Sequence, residues 1–138
     1  MKKYAFNALK SNSMPLRRPL DDYRNDACKT IMVPVTLPRA SVIICFAEEM
    51  WSTLFRTVWS VLDRTPSNLL AEIILVNDAS TAPWLQADLD EYMRKMPAVV
   101  KMVRAPERQG ATVVVNDRST VAHLPTRVSL FVCLCVCV

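Results

Sequence analysis

The sequence contains almost no glycine. Gly110 is the only glycine among 138 residues, whereas ordinary usage near 7% would supply about ten. The patterns G-x-G-x-x-G and G-x-x-x-x-G-K-[ST] are therefore absent, which excludes both glycine-rich loops that bind phosphate groups. If a nucleotide binds to this chain, side chains and a metal ion must hold it.

The sequence also lacks a secretory signal and a long apolar run. The start, "MKKYAFNALK", has lysines but no apolar stretch after them. The longest uncharged apolar run covers residues 128–138, and it is shorter than the roughly 20 residues that a membrane helix needs. We therefore predict no membrane span.

Positive charge is concentrated near the N-terminus. Residues 1–39 contain eight Lys or Arg and three acids, whereas residues 40–138 contain nine and ten. Nucleic-acid binding would require a denser basic stripe with aromatics between the charges than Arg17 and Arg18 provide. We predict a solvated arm over residues 1–36, where prolines are frequent and periodicity is weak, and no nucleic-acid partner.

The five cysteines include a C-x-C-x-C motif, formed by Cys133, Cys135 and Cys137. Thiolates select soft metals, so a thiol or metal site is one hypothesis for this motif. Zinc sites more often use C-x-x-C pairs, and no second pair or nearby histidine completes this one. The sequence therefore favours no metal site here.

Three apolar runs predict strands with helices between them. The runs are Ala40–Phe46, Glu72–Val76 and Val99–Ala105, and their lack of alternation is typical of parallel strands that are buried on both faces. Apolar residues recur at helical spacing from Trp51 to Leu62 and from Leu85 to Met96. This order predicts an α/β fold with three parallel strands and flanking helices.

Asp78 lies at the end of the second predicted strand. Ligands of open α/β sheets bind outside the carboxyl ends of the strands, and the predicted topology places Phe46, Asp78 and Arg108 along that edge of the sheet. The residue types alone leave other interpretations open: Asp78 as a helix cap, Phe46 as a core residue, and Arg108 as a solvated side chain.

Three stretches resemble a known family: "YAFNALKSNSMPLRRPLDDYRNDACK", "LPRASVIICFAEEMWSTLFRTVWSVLDRTPSNLLAEIILVNDAS" and "ERQG". From about residue 3 to Gly110, they resemble the start of the catalytic domain of polypeptide N-acetylgalactosaminyltransferases. The resemblance implies a partial GT-A (Rossmann-like) fold with an extended N-terminal arm. It also implies a Golgi enzyme that uses manganese to transfer N-acetylgalactosamine from UDP-GalNAc to Ser or Thr with retention of configuration.

The resemblance also implies roles for individual residues. Cys45 and Phe46 would lie beside the uridine, Asp78 would accept a hydrogen bond from the uracil edge, and Arg108 would help to hold the nucleotide. Cys28 would correspond to a disulfide partner of a cysteine far downstream. The family's "FHNEA", "VDD" and "REG" are "FAEEM", "VND" and "RQG" here, so we expect weak or no binding of UDP or UDP-GalNAc.

The family pattern stops after Gly110. Relatives continue to a D-x-H motif whose acid and imidazole bind manganese, whereas this chain has no D-x-H and a single histidine, His123. We therefore predict no metal ligands and no catalytic residues in the chain, and we expect a truncated, inactive homologue. The predicted organisation is an arm at 1–36, a nucleotide-binding half at 37–110 and an irregular, non-family tail at 111–138, with Val and Cys alternating as a GT-dinucleotide repeat would encode.

A second hypothesis makes the chain an interaction module. Three parallel strands leave a sheet edge unpaired, which could pair with an intact family member and reduce its activity. The Golgi lumen is the location that the resemblance implies for either function.

Overall fold

Parallel strands form one open sheet. The computed structural model describes residues 6–32, 34 and 36–110 and the backbone of 130–136. Within these residues the strands are β1 (Ala40–Phe46), β2 (Leu70–Asp78), β3 (Val100–Ala105) and β4 (Leu130–Val136). The order across the sheet is β3-β2-β1-β4, and each neighbouring pair is parallel. The predicted α/β fold with a parallel sheet is confirmed.

Helices occupy the connections between the first three strands. Helix α3 (Trp51–Arg64) joins β1 to β2. A short 3-10 helix (Pro83–Leu85) followed by α4 (Ala87–Arg94) joins β2 to β3. The second predicted helix is divided because the backbone of Gln86 leaves the helical region, with φ −105° and ψ −117°. No helix in the described ranges is long and apolar enough to cross a membrane.

The N-terminal arm is less extended than the sequence predicts, because it contains the short helices α1 (Ala8–Ser13) and α2 (Asp26–Lys29). Each begins after an asparagine whose side chain accepts a backbone N–H, at 3.0 Å for Asn7 and 2.9 Å for Asn25. Helices of one or two turns are too short to show an apolar period. The sequence signal for these two helices was the asparagine that caps each of them.

The core covers both faces of the central strands. On one face, α3 and α4 pack on the sheet. The ring centroid of Phe55 lies 4.3 Å from that of Tyr92 and 4.6 Å from that of Trp51. On the other face a smaller cluster is buried, formed by Ile43, Cys45, Ile74 and Val76. Burial on both sides explains why β1 and β2 read as continuous apolar runs.

The expectation of an irregular tail is wrong for residues 130–136. This segment forms β4, in parallel register with the whole of β1 from Ala40↔Leu130 to Phe46↔Val136. Its β-prone apolar residues supply the pairing that the outer edge of β1 needs. Residues 112–115, which could have formed an edge strand, lie outside the described residues. Because β4 covers β1, pairing with an intact relative through this edge stays a prediction without a supporting observation.

Candidate functional site

The candidate site is the edge of the sheet where β1, β2 and β3 end. Three loops meet there: residues 47–50 after β1, residues 79–82 after β2, and residues 106–110 after β3. Carboxylates hold these loops to one another. This edge is where open α/β sheets bind ligands.

Asp78 holds the loop that follows β3. One carboxylate oxygen accepts the N–H of Gln109 at 2.9 Å, and the other accepts the N–H of Gly110 at 3.0 Å. Gly110 has φ +82°, a conformation that favours glycine, which explains why the single glycine of the chain lies here. Asp78 is 4% exposed. It therefore fixes the turn that carries Arg108, rather than capping the helix that follows β2.

Glu48 holds the loop that follows β2. Its Oε1 accepts both the N–H and the hydroxyl of Thr81, and its Oε2 accepts the N–H of Ala82 at 3.1 Å. In return, the N–H of Glu48 donates to the hydroxyl of Ser80 at 3.1 Å. The sequence alone assigned no role to Glu48. The missed signal was the start of a helix at Pro83, where backbone N–H groups require acceptors.

The charge of Glu48 is stabilised in this position. Its pKa lies below the ordinary value, chiefly because the Thr81 N–H bonds to the carboxylate, with smaller contributions from the Thr81 hydroxyl, the Ala82 N–H and the charge of Arg108. Partial burial opposes this shift. Arg108 is exposed and acts on Glu48 through its charge. The structure therefore brings Glu48, Asp78 and Arg108 to the same edge.

Two buried polar atoms at this edge lack hydrogen-bond partners among the described residues. The amide oxygen of Asn77 accepts the N–H of Ser80 at 2.9 Å, but its Nδ2 has no acceptor. Glu49 accepts the N–H of Met50 and the hydroxyl of Thr53 through Oε1, whereas its Oε2 has no donor. Both side chains are 1% exposed, so these unmatched groups reduce stability.

The two other predicted site residues lie in the cores. Phe46 is 1% exposed and packs in the large cluster under α3 and α4, while Cys45 is 2% exposed and belongs to the cluster on the opposite face. Of the four predicted residues, the structure therefore brings the side chains of Asp78 and Arg108 to the sheet edge. Cys45 and Phe46 end β1 directly before the first loop.

A cavity of about 290 Å³ opens between the ends of β2 and β3. Its lining includes Asn77, Ser80, Gln86 and Arg104. The Gln86 amide donates to the Ser80 carbonyl at 2.6 Å, and Arg104 donates to the Leu85 carbonyl at 3.0 Å and to Asp90 at 2.8 Å. These bonds join the 3-10 helix and α4 to β3, and they leave a polar wall beside Asp78.

The described residues do not provide a metal site. No three side chains of the His, Cys, Asp or Glu type converge anywhere in the described part of the chain. Asp78 and Glu48 use both of their oxygens for N–H groups. Cys28 is exposed and forms no disulfide within the same residues, while the side chains of the C-x-C-x-C motif lie outside them, so that hypothesis stays a prediction.

The chain is similar in sequence to known glycosyltransferases. A family model described as Glycosyl transferase family 2 matches residues 41–120. Human polypeptide N-acetylgalactosaminyltransferase 13 is 46% identical over 105 residues, which are 76% of this chain and 19% of the relative. Polypeptide N-acetylgalactosaminyltransferase 11 of Xenopus tropicalis is 49% identical over 109 residues, which are 78% of this chain and 18% of the relative. The chain thus spans about a fifth of the length of these curated relatives.

A solved structure matches the fold as well. The crystal structure of GalNAc-T7 with UDP, GalNAc and Mn2+ superposes with a TM-score of 0.82 and 38% identity, over 89% of this chain and 23% of the other. The predicted resemblance and the partial GT-A fold are confirmed.

Proposed function

Since this chain belongs to glycosyl transferase family 2, we propose that it forms the uridine-binding part of a polypeptide N-acetylgalactosaminyltransferase domain. The ligand would be UDP or UDP-GalNAc, and the location would be the Golgi lumen that the resemblance implies. One observation carries the proposal: Asp78 holds the turn that presents Arg108 at the ligand-binding edge of the sheet.

Asp78 retains the capacity to accept a further hydrogen bond. Each of its oxygens accepts one N–H in the structure, whereas a carboxylate offers about four lone-pair positions. An N–H on the uracil edge would bond to a buried, charged acceptor, and such bonds are stronger than neutral ones. Cytosine has no N–H at the corresponding ring position, so Asp78 would select uridine over cytidine.

Arg108 would hold the nucleotide through its guanidinium group. It is exposed, so it is open to a ligand at the edge. Glu48, whose negative charge lies close enough for Arg108 to lower its pKa, would oppose an approaching diphosphate. We therefore propose weak binding, with Cys45 and Phe46 supporting the loop after β1 from within the core.

We propose that the 138-residue chain alone does not catalyse the transfer. In the GalNAc-T7 structure, Mn2+ accompanies UDP, and manganese would neutralise the diphosphate that leaves during transfer. The sequence has no D-x-H, and its single histidine has no acid two positions earlier. No three His, Cys, Asp or Glu side chains converge within the described residues, so these residues do not fit a manganese site.

Calorimetry with UDP and CDP tests the uridine site. We expect UDP to bind at least about tenfold more tightly than CDP, because cytosine lacks the ring N–H that uracil would donate to Asp78. Arg108→Ala should weaken UDP binding while leaving the unfolding midpoint unchanged. Arg94→Ala is the matched control, since Arg94 is also exposed but lies on α4, and UDP binding should not change.

Each part of the proposal has an outcome that contradicts it. Equal affinity for UDP and CDP would exclude the uracil contact at Asp78. An unchanged UDP affinity in Arg108→Ala would remove that residue from the site. Transfer of N-acetylgalactosamine to a Ser/Thr peptide by this chain with manganese would show that the chain is active after all.

A further inference from the structure

A second concave surface lies between the N-terminal arm and α3. It is a groove of about 400 Å³, which is larger than the cavity at the sheet edge. Ligand sites in proteins commonly have volumes of about 300–1,000 Å³. We call this surface the arginine groove. Its lining includes Leu16, Arg17, Arg18, Arg56, Ser60 and Arg64.

The charge in the arginine groove is strongly positive. Four arginines line it, and Asp63 is the only acid among its lining residues. Arg17 is committed to that acid, because its Nε and a second nitrogen donate to the two Asp63 oxygens at 3.0 and 2.5 Å. Its guanidinium also stacks on Trp59, 4.7 Å from the ring centroid. The Arg17–Asp63 pair therefore joins the arm to α3 and leaves the other arginines without an acid.

These other arginines have no anionic partner among the described residues. Arg18 donates only to the sulfur of Met14, at 3.5 Å. Arg56 donates to the carbonyl and hydroxyl of Ser11, at 2.7 and 3.3 Å, and its Nε is buried without an acceptor. Arg64 forms no ion pair or hydrogen bond within the described residues. Along this groove, three guanidinium groups thus have no acid among the described residues to neutralise their charge.

The shape and the walls of the groove favour a peptide over a small ion. Its lining on α3 runs from Thr53 to Arg64, which is roughly 16 Å along a helix axis. An extended chain of about five residues has that length, whereas a single phosphate would fill only one end. Leu16, Leu20 and Val61 supply apolar wall between the arginines, which suits a segment that carries apolar side chains among its acids.

We propose that the arginine groove binds an acidic peptide segment of a protein partner. Aspartate or glutamate carboxylates of the segment would pair with Arg18 and Arg64, and its apolar side chains would cover Leu16 and Leu20. The site is separate from the sheet edge, because α3 leads away from the ends of the strands. Its test is therefore independent of whether UDP binds.

Fluorescence anisotropy with the full 138-residue chain tests the proposal. The probe is a short fluorescein-labelled peptide that alternates glutamate with leucine, and its twin carries glutamine in place of each glutamate. The double variant Arg18→Glu and Arg64→Glu should weaken binding of the acidic peptide at least about tenfold, since two charges change sign. Both residues are exposed, so circular dichroism should show an unchanged fold.

Two further variants separate the groove from the general charge of the chain. Ser60→Tyr fills the groove without changing charge, and it should weaken binding as well. Arg94→Glu changes one charge outside the groove and should leave binding unchanged. Equal losses in Arg94→Glu and the double variant would overturn the proposal, as would equal binding of the glutamine twin. Competition by inorganic phosphate as strong as that by the unlabelled peptide would also overturn it.

Discussion

The middle and the carboxyl ends of the same strands are stabilised by different forces. In the middle, β1 and β2 are enclosed by apolar side chains on both faces, and residues such as Ile44 and Leu75 are 0% exposed. At the ends, the loops are held by two carboxylates, Glu48 and Asp78, which bond to backbone N–H groups of other loops. Apolar burial is independent of charge, whereas the contacts of Glu48, whose pKa is lowered in the fold, depend on pH.

The apolar middle of the strands therefore determines the fold, whereas the polar carboxyl ends would position a ligand. Apolar packing tolerates many sequences of similar volume, but a hydrogen bond to a loop requires one acceptor at one position. The polar ends of β1 and β2 are therefore where small changes of residue type have specific effects. Mutations in the two regions should differ in both size and pH dependence.

The largest effect is expected in the apolar region, at Phe55. Phe55→Ala removes a ring that is 0% exposed and contacts Trp51 and Tyr92, so the free energy of unfolding should fall by about 3–5 kcal/mol. Urea denaturation measures the change. On the same helix, Ser60→Ala at an exposed position should change it by less than about 0.5 kcal/mol. Similar losses in both variants would show that α3 does not pack as described.

A smaller loss is expected at the carboxyl end of β2. Asp78→Ala leaves the N–H groups of Gln109 and Gly110 without their acceptor, which should lower the free energy of unfolding by about 1–2 kcal/mol. Asp78→Asn keeps one acceptor oxygen and should lose less. Urea denaturation of both variants checks the order. If Asp78→Asn is as destabilising as Asp78→Ala, the bonds to the loop are not the cause.

A gain in stability is expected at Ala79. This residue has φ +48°, a left-handed conformation that is strained for any residue with a Cβ. Ala79→Gly should relieve the strain and raise the free energy of unfolding by about 0.5–1 kcal/mol, net of the greater freedom of glycine in the unfolded chain. Thermal unfolding measures it. A control, Ser60→Gly inside α3, should be destabilising, because glycine weakens the interior of a helix.

The smallest effect is expected from Glu48, and it depends on pH. The pKa of Glu48 is lowered in the fold, so its contribution is complete above the unfolded pKa of about 4.3 and is lost as pH falls through the folded value. Glu48→Gln should be less stable than the parent chain at pH 7, by less than about 1 kcal/mol. The two unfolding midpoints should converge in acid. A constant difference between them would exclude the charge of Glu48 as the cause.

The apolar region could be predicted from the sequence, because its pattern is local. The run "ASVIICF" predicts β1 with the bounds that the structure has, and the predicted β2 lies within Leu70–Asp78. The division of the helix at Gln86 was missed, because Leu85, Leu89 and Tyr92 continue one apolar face across the break. The pairing of β4 with β1 was missed as well, since strand pairing between distant segments leaves no periodic signal.

The polar end of the sheet was predictable only in part. The position of Asp78 after a buried strand identified the edge, and the resemblance supplied Arg108. The bonds from Glu48 to Thr81 and Ala82 span more than thirty positions of the chain, and no spacing rule connects two loops that fold together. The sequence left two interpretations of Phe46 open, a core residue or a residue beside the uridine. Residue type alone could not decide between them, and the structure shows that the side chain is buried in the core.

The pairing of β4 with β1 also has a consequence for the order of events during synthesis. Ala40 pairs with Leu130, so β1 leaves the ribosome long before its partner is made. In that interval β2 can pair with one side of β1, while the other side keeps unpaired N–H and C=O groups. Such a nascent edge is a site for aggregation and for chaperone binding. The outer side of β1 therefore stays unpaired until Leu130–Val136 have been made.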